Sequence, residues 1–352
     1  MTTTRKPFLY CLIISLFFTK FALAEQKRAK FEPDNGSVLV FIGQDNVAVG
    51  GTKKWHNGYV DNIGIPAGIT HYVYFAEDIK NNFGFDLNKG TVDGLNKETT
   101  WGAGPMCMEC YLQSEKLKDI VIHLSISMEF GSEDKIASGE FDHLIVELAE
   151  FLERYQDVPF FIRIGYEFDG AWNDYDAPNF KLAWRRIIDA LNEKKLNNFA
   201  TVFASSSPYL KMNKWLEYWP GDEYVDWIGY SYWANSIAPQ ISLELARNKN
   251  KPIFIAETTP RGFWLNKTKN NLIWSDWFQI LFDHIEANSD VIKAVSYINT
   301  DWDAQPMWDG WGDSRIETNP ELKERWLEKM AEKQYIHHTK GTYDLIGFTP
   351  KQ

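Results

Sequence analysis

Residues 159–172 read PFFIRIGYEFDGAW, an apolar run that leads directly into the carboxylate of Glu167. Residues 252–260, PIFIAETTP, repeat this arrangement with Glu257. Continuous apolar runs of this length are typical of parallel strands that are buried on both faces. A carboxylate at the tip of a buried strand is costly to desolvate, so both glutamates indicate a functional site.

Eight apolar runs of this kind alternate with helical patterns, and together they predict the fold. Eight parallel strands that each lead into a helix form a (β/α)8 TIM barrel, an α/β fold. An open, doubly wound sheet is the alternative, but no Gly-x-Gly-x-x-Gly turn follows the first run. The predicted strands are Val38–Ile42, Ile69–Phe75, Ile120–Ile126, Pro159–Ile164, Ala200–Ala204, Trp227–Tyr230, Ile253–Ala256 and Ala294–Ile298.

Helices are predicted where apolar residues recur at a spacing of about 3.6 residues. This pattern covers residues 144–155, 183–191, 272–285 and 322–330. The last helix has Asn319 as its predicted N-cap and Pro320 at its first position.

The position of the two glutamates predicts their chemistry. Catalytic groups of a (β/α)8 barrel lie at the C-terminal ends of the strands, so Glu167 and Glu257 should face one central cleft. Two facing carboxylates about 5 Å apart carry out glycoside hydrolysis with retention of configuration. Arg163 lies four residues before Glu167, on the same strand face, and could keep a nearby carboxylate ionised. Gln44, after the first strand, is a candidate for binding sugar hydroxyls.

These residues resemble the clan of retaining barrel glycosidases, and within it glycoside hydrolase family 26, which contains β-mannanases and β-1,3-xylanases. Arg163, Glu167, Gly170 and Trp172 match the family element Arg-x-x-His-Glu-x-x-Gly-x-Trp, with Tyr166 in place of the histidine. The resemblance implies Glu167 as acid/base and a nucleophile glutamate on strand seven, which is Glu257. It also implies Trp172 as a wall of the −1 sugar site, and Tyr166 is assigned to substrate binding.

Residues 218–229, YWPGDEYVDWIG, resemble the family's run into strand six. A tyrosine here hydrogen-bonds the nucleophile in the clan, which implies Tyr232, with Tyr230 as the second choice. A tryptophan after strand eight forms the floor of the −1 site in the clan, which implies Trp302. Trp308, Trp311 and Arg315 are candidates for other sugar subsites, and the alternative for this stretch is a packed aromatic loop that closes the barrel.

The N-terminus has the pattern of a secretory signal peptide. Arg5 and Lys6 precede an apolar run over 8–18, and 22–24, Ala-Leu-Ala, fits a signal-peptidase site. This pattern predicts that residues 1–24 are removed and that the protein is secreted or periplasmic, with no membrane association after cleavage. The catalytic barrel is expected over 25–335, and 336–352 form a tail that packs on the barrel or trails from it.

The charge and composition of the chain limit the kinds of partner that it can bind. The net charge of −11 argues against nucleic acid, because phosphate binding needs basic patches. Aromatic residues make up 15% of the chain and suit stacking on sugar rings. Cys107 and Cys110 are expected to form a local disulfide, with free thiols or a metal site as the alternatives. We expect a monomer that needs no metal and no cofactor.

The sequence therefore predicts a retaining endo-β-glycosidase that hydrolyses a plant or algal polysaccharide by double displacement. β-Mannan, β-1,3-xylan, mixed-linkage glucan and an algal galactan all remain possible substrates. A catalytically inactive carbohydrate-binding barrel is one alternative. A metal-dependent deacetylase or amidohydrolase is another, but it would need His/Asp clusters at the strand ends, and no His-x-His pair occurs.

Overall fold

Eight parallel strands close into a barrel, which confirms the predicted fold class. The computed structural model describes residues 28–350, apart from 78, 81–83, 85, 88–91, 207–210 and 234–238. The predicted signal peptide, 1–24, lies outside the described residues. Pairing of the last strand with the first, from Leu39 opposite Ala294 to Gly43 opposite Ile298, closes the barrel. The strands are β1 (Val38–Gly43), β2 (Gly68–Tyr74), β3 (Val121–Ser127), β4 (Phe160–Ile164), β5 (Phe199–Ser205), β6 (Trp227–Tyr232), β7 (Ile253–Thr258) and β8 (Ile292–Ile298).

Helices accompany the strands, and the longer ones bury an apolar stripe. Leu144 and Leu148 on one helix, and Trp184 and Ile187 on the next, are fully buried, as the predicted spacing requires. The helices are Asn46–Val49, Tyr59–Asn62, Met108–Leu112, Ser132–Ser138, Asp142–Arg154, Ala177–Glu193, Met212–Glu217, Gln240–Lys249, Asn270–Ile273, Gln279–Ala287, Pro320–Met330 and Thr342–Leu345, with a π-helix at Trp274–Phe278.

The predicted start of one helix is confirmed in detail. The side chain of Asn319 accepts a hydrogen bond from the backbone N–H of Leu322 at 3.2 Å, and Pro320 is the first helical residue. None of the described helices is long and apolar enough to cross a membrane.

Short strands supplement the barrel at its edges. Three two-residue pairs join Ile79–Lys80 to Asp86–Leu87, Thr99–Thr100 to Pro105–Met106, and Phe263–Trp264 to Gly312–Asp313. A further short strand, Tyr335–Ile336, pairs in parallel with the start of β1.

The N-terminal half of the barrel interior is an apolar layer formed by Phe41, Phe161, Trp227 and Phe254. The ring of Phe161 lies 5.7 Å from that of Phe41, 5.0 Å from Trp227 and 5.5 Å from Phe254. All four side chains are fully buried. Close packing of this kind makes the lower half of the barrel a solid core rather than a channel.

The C-terminal tail covers the N-terminal end of the barrel. Phe348 packs against Phe31, which in turn contacts Phe161, with ring centroids 5.6 Å apart in both pairs. The hydroxyl of Tyr343 donates to the carbonyl of Ile120 at 3.1 Å. Residues of the tail therefore pack on the end of the barrel that lies opposite the carboxyl ends of the strands.

A polar layer lies between the apolar layer and the carboxyl ends of the strands. The hydroxyl of Thr70 lies 2.6 Å from the hydroxyl of Ser296 and 3.1 Å from Nδ1 of His123. Burial, and then the positive charge of Arg163, lower the pKa of His123 well below its usual value. His123 is therefore a neutral core residue, and the polar layer leads upward to the charged groups of the cleft.

Candidate active site

A tight turn after β4 positions Glu167. Gly165 and Glu167 both have left-handed backbone conformations, with φ angles of 52° and 51°. Residues other than glycine rarely adopt this conformation, and those that do cluster at functional sites. The side-chain amide of Asn173 holds the turn by donating to the carbonyls of Tyr166 and Glu167 at 2.9 and 2.8 Å. The prediction that Arg163 and Glu167 lie on the same face of one strand therefore does not apply, because the strand ends before Glu167.

Two donors hold the carboxyl of Glu167. The hydroxyl of Ser231 donates to Oε1, and the indole N–H of Trp172 donates to Oε2 at 3.1 Å. Burial, and then the negative charge of Glu257, raise the pKa of Glu167 to about 8, although Arg163 and the Ser231 hydrogen bond act in the opposite direction. Glu167 therefore carries a proton at neutral pH and can donate it.

A β-bulge turns Glu257 into the cleft. Tyr230 on β6 lies opposite Ile255 on β7, but the next residue, Ser231, lies opposite Glu257. Ala256 is thus the extra residue, and it packs in the barrel interior. Alternation along the strand would point Glu257 away from the interior, and the bulge reverses this. Bulges commonly redirect a side chain beside an active site.

Arg163 pairs with Glu257 beneath the cleft. Its Nη1 donates to Oε1 of Glu257. Burial is the largest influence and acts to lower the pKa of Arg163, but the negative charges of Glu257 and its neighbours together outweigh it, and the net shift is upward. The guanidinium has no exposed surface. This corrects the expectation that Arg163 binds substrate: it contacts a catalytic candidate from below and cannot reach a ligand.

Tyr72 faces the same carboxylate from β2. Burial, and then the negative charge of Glu257, raise the pKa of Tyr72 well above its usual value. Its ring lies edge-on to that of Tyr166 at 5.6 Å, and the guanidinium of Arg163 lies 5.2 Å from the Tyr166 ring. Tyr166 is half-buried, and the residue that replaces the family's histidine thus contacts Tyr72 and Arg163, the two neighbours of Glu257.

Comparison with known proteins identifies the family. A model of glycosyl hydrolase family 26 matches residues 121–304, which is more than half of the chain and includes β3 to β8. The chain belongs to glycosyl hydrolase family 26. The protein is therefore a glycoside hydrolase, and the resemblance found from the sequence is confirmed.

Two curated relatives in this family each match 91% of the chain. A β-1,3-xylanase from a Vibrio species is 29% identical over 354 residues and is covered over 70% of its own length. A β-1,3-xylanase from an Alcaligenes species is 28% identical over 351 residues and is covered over 68% of its length.

Solved structures of the family share the fold at lower identity. A family 26 β-mannanase from Bacteroides ovatus superposes with a TM-score of 0.59 at 15% identity, covering 86% of this chain and 90% of that one. An endo-β-1,4-mannanase from Cellulomonas fimi gives 0.59 at 16% identity, covering 88% and 74%. At these identities the likeness concerns the barrel alone.

Two tyrosines lie away from the cleft of this family 26 barrel. The hydroxyl of Tyr230 is 2.8 Å from Nε2 of His284, and the ring of Tyr232 stacks on the His284 ring at 4.3 Å. His284 belongs to the helix that follows β7, outside the barrel. This corrects the assignment of both tyrosines to substrate binding and of Tyr232 to the orientation of Glu257. Because side chains alternate along a strand, Ser231 between them faces inward.

The tryptophans after β8 form a packed cluster. Trp302 is only 1% exposed, and its indole N–H donates to the hydroxyl of Thr259 at 3.2 Å. Its ring lies 5.6 Å from Trp308 and 5.2 Å from Trp311. This corrects the expectation that Trp302 offers its ring to the −1 sugar, since its neighbours cover it. The half-buried rings of Trp308 and Trp311 are the accessible ones.

Gln44 supports the cleft from behind. It is buried, and its amide nitrogen donates to Oε1 of Gln305 at 3.1 Å and to the carbonyl of Ala103 at 3.5 Å. Gln44, which the sequence offers for binding sugar hydroxyls, thus uses its amide N–H groups within the protein. Trp172, in contrast, is 64% exposed beside Glu167 and remains a candidate for contact with substrate.

Cys107 and Cys110 form a disulfide in the structure, as expected. The bridge lies at the start of the helix Met108–Leu112. The side chain of Asn46 donates to the carbonyl of Cys107 at 3.2 Å and accepts from its N–H at 2.6 Å. The connection between β2 and β3 is thereby joined to the turn after β1.

Sequence reasoning missed Ser231 and Tyr72. Strand alternation around Tyr230 and Tyr232 requires either the tyrosines or Ser231 to face inward, and the resemblance to the clan, in which a tyrosine contacts the nucleophile, favours the tyrosines. Tyr72 lies within an apolar run and has no local signal. Trp311, which the sequence does offer as a subsite residue, stacks with Arg261, whose guanidinium lies 4.0 Å from the ring.

Proposed function

We propose that this protein is a retaining endo-β-1,3-xylanase in which Glu167 is the acid/base and Glu257 is the nucleophile. The observation that carries the proposal is the division of charge between the two carboxyl groups. Glu167 is buried with a pKa of about 8, whereas Glu257 is paired with the buried guanidinium of Arg163. One group thus holds a proton that it can donate, and the other lies against a positive charge, which suits the two roles of double displacement.

The first step forms a bond between an Oε atom of Glu257 and the anomeric carbon. The bond from that carbon to the glycosidic oxygen breaks, and the oxygen leaves with the proton of Glu167. Water then attacks the anomeric carbon and gives its proton to Glu167, while the bond to Glu257 breaks. The sugar is released with its original configuration.

The same residues explain how Glu167 acts in both steps. The negative charge of Glu257 is the second largest cause that raises the pKa of Glu167. In the covalent intermediate that charge is absent, because Glu257 is an ester. The pKa of Glu167 therefore falls once the intermediate forms, and the group becomes a base that accepts a proton from water.

Two features support the substrate and the endo action. Both curated relatives that match 91% of the chain are β-1,3-xylanases, whereas the mannanase structures are only 15–16% identical. Aromatic rings also flank the catalytic pair on two sides, with exposed Trp172 beside Glu167 and Trp308 and Trp311 beyond β8. An open cleft with rings on both sides suits several consecutive sugar units.

Hydrolysis of a polysaccharide panel by the purified protein tests this proposal. We expect cleavage of β-1,3-xylan into oligosaccharides, with NMR showing the β-anomer as the first product. Glu257→Ala should lose roughly 10⁴-fold or more in kcat, and Glu167→Ala about 10²–10⁴-fold. Glu223→Ala, an exposed glutamate before β6, is the matched control and should retain activity. Release of monosaccharides alone, an α-anomer first product, or full activity of Glu257→Ala would each contradict the proposal.

Export and a monomeric state are the remaining parts of the proposal. The basic, apolar and small-residue pattern over 5–24 supports export. N-terminal sequencing of protein recovered from the medium or periplasm should begin at Glu25, and size-exclusion chromatography should give one chain. A cytoplasmic product that retains Met1 would contradict export.

A further inference from the structure

A second cavity lies behind the turn Trp302–Ala304, at the carboxyl ends of β1 and β8. Its volume is about 410 Å³, within the range of roughly 300–1,000 Å³ that is usual for small-molecule sites. Asp45, Trp55, Thr300, Arg315 and Glu317 are among the residues that line it. The ring of Trp302 points away from this cavity, toward Trp308 and Trp311.

The floor of the cavity is a buried hydrogen-bond network. The carboxylate of Asp45 accepts from the hydroxyl of Thr300 and from the amide of Gln305, both at 3.1 Å. The same amide nitrogen also donates to Thr300 at 2.9 Å, and Oε1 of Gln305 accepts from Gln44. Because these groups hold one another, the floor is fixed before any ligand enters.

The polar wall of the cavity is also held in place. The guanidinium of Arg315 donates to Asp301 at 2.9 Å and to Asp313 at 2.8 Å. The carboxylate of Glu317 accepts from the side chain of Asn299 at 2.9 Å. A guanidinium has five N–H donors and a carboxylate has two oxygens, so the planar heads of Arg315 and Glu317 have more hydrogen-bonding positions than these contacts use.

The opposite wall is aromatic. Trp55 is half-buried, and the ammonium of Lys54 lies 4.7 Å from its ring. Lys54 is itself paired with Glu98, and Arg315 is paired with two aspartates. Both cations of the lining are thus neutralised, so the cavity offers no excess positive charge to an anion. An aromatic ring opposite fixed planar polar groups is suited to a neutral, polyhydroxylated ring.

We propose that this cavity binds a neutral pyranose unit, either of the chain that occupies the catalytic cleft or of a separate oligosaccharide. The proposal rests on the proposed function, because the pyranose is a unit of the polysaccharide substrate or of its products. The turn Trp302–Ala304 separates the cavity from the catalytic cleft. Thr300 and Gln305, on either side of the turn, line the cavity, and Trp302 packs in the aromatic cluster of the cleft.

Calorimetric titration of β-1,3-xylo-oligosaccharides of increasing length tests this binding. The titration uses Glu257→Ala, which prevents turnover, and the double variant Glu257→Ala/Trp55→Ala. Loss of the ring should weaken binding about tenfold, as expected for an aromatic contact worth about 1.5 kcal/mol. Trp55→Phe should recover part of the affinity. Trp219→Ala is the matched control, since Lys249 stacks on that ring at 4.8 Å far from the cavity.

The length dependence distinguishes the two sources of the sugar. If the cavity continues the cleft, Trp55→Ala weakens only the longer oligosaccharides, and the stoichiometry stays at one. If it is a separate site, the parent variant binds two molecules and Trp55→Ala binds one. Equal affinity and stoichiometry in both proteins, at every length, would overturn the proposal.

If the proposed function is wrong, a different measurement shows it. In that case the wild-type protein would release no reducing sugar from β-1,3-xylan, whatever the titration gives. The titrations are then repeated with oligosaccharides of the polysaccharide that the wild type does hydrolyse, or with xylose, glucose and mannose if it hydrolyses none. Unchanged binding on removal of Trp55 in that series would overturn the cavity proposal on its own.

Discussion

Phe161 and Arg163 lie two residues apart on β4, both facing the barrel interior and both fully buried, yet their surroundings have little in common. Phe161 belongs to the apolar layer, where its ring contacts other aromatic rings. Arg163 belongs to what we call the charged layer, formed with Glu167 and Glu257. One strand therefore supplies packing at its start and charge at its end.

The difference shows where stability and chemistry are separated in this barrel. Burying an aromatic side chain against others stabilises the fold, whereas burying charged groups costs free energy that only close pairing offsets. Substitutions that remove volume from the apolar layer should therefore lower the stability but leave the activity of the folded protein unchanged. Substitutions in the charged layer should mainly lower the activity, since its groups are held in states that suit the reaction rather than the fold.

Removal of the buried guanidinium should have the largest effect. Arg163→Met leaves the carboxylate of Glu257 without its partner, and breaking a buried pair in this way costs about 3–5 kcal/mol. If the activation free energy for attack by Glu257 rises by this amount, kcat should drop roughly 10²- to 10⁴-fold. Steady-state kinetics measure the drop, with circular dichroism to check the fold. Arg186→Met, which breaks an exposed pair with Asp142, is the control, and a similar small change in both variants would refute the role of Arg163.

Truncation in the apolar layer should have the next largest effect. Phe161→Ala removes a fully buried ring and should lower the free energy of unfolding by about 3–5 kcal/mol in urea denaturation. The kcat of the remaining folded enzyme should stay close to that of the wild type, because the charged layer is intact. Leu182→Ala, 53% exposed, should change stability by about 0.5 kcal/mol or less. A large loss of kcat at full folding would show that the two layers are not separate.

The two layers also differ in how well the sequence predicts them. The apolar layer follows from continuous apolar runs, and every predicted strand was found within one or two residues of its place. The positions of apolar residues along the chain supply this information, because a buried parallel strand needs apolar side chains on both faces. The glutamates were located for the same reason, as carboxylates at the ends of such runs.

The side-chain directions in the charged layer were not predictable in this way. Glu257 faces inward because of a bulge at Ala256, and Glu167 because of a left-handed turn, and neither feature follows from strand alternation. The sequence alone gives the serine between the two tyrosines no evident partner, whereas the structure places its hydroxyl on Glu167. Such local irregularities depend on contacts between β6, β7 and the turn after β4, which are distant in sequence.

Neutralisation of Glu167 should change stability with a sign opposite to that of the other two substitutions, and only within one pH window. In the folded chain its pKa is about 8, against a usual value of 4.5. Between these pH values the unfolded chain loses the proton and the folded chain keeps it, so wild-type stability falls as pH rises through this window. Glu167→Gln resembles the protonated acid and does not titrate. It should abolish acid catalysis yet stabilise the fold relative to the wild type, by little at pH 4.5 and then by up to about 1.4 kcal/mol more for each pH unit up to pH 8.

Thermal unfolding from pH 4 to pH 9 measures this effect. The difference between Glu167→Gln and the wild type should grow from pH 4.5 to about 8 and then stay constant, because the folded wild type is itself ionised above its pKa. Glu223→Gln, at an exposed site, should follow the wild-type curve. A difference that is constant over the whole range would mean that Glu167 is ionised in the fold at neutral pH. The charged layer would then contain two carboxylates and no proton donor, and the division of roles between Glu167 and Glu257 would have to be abandoned.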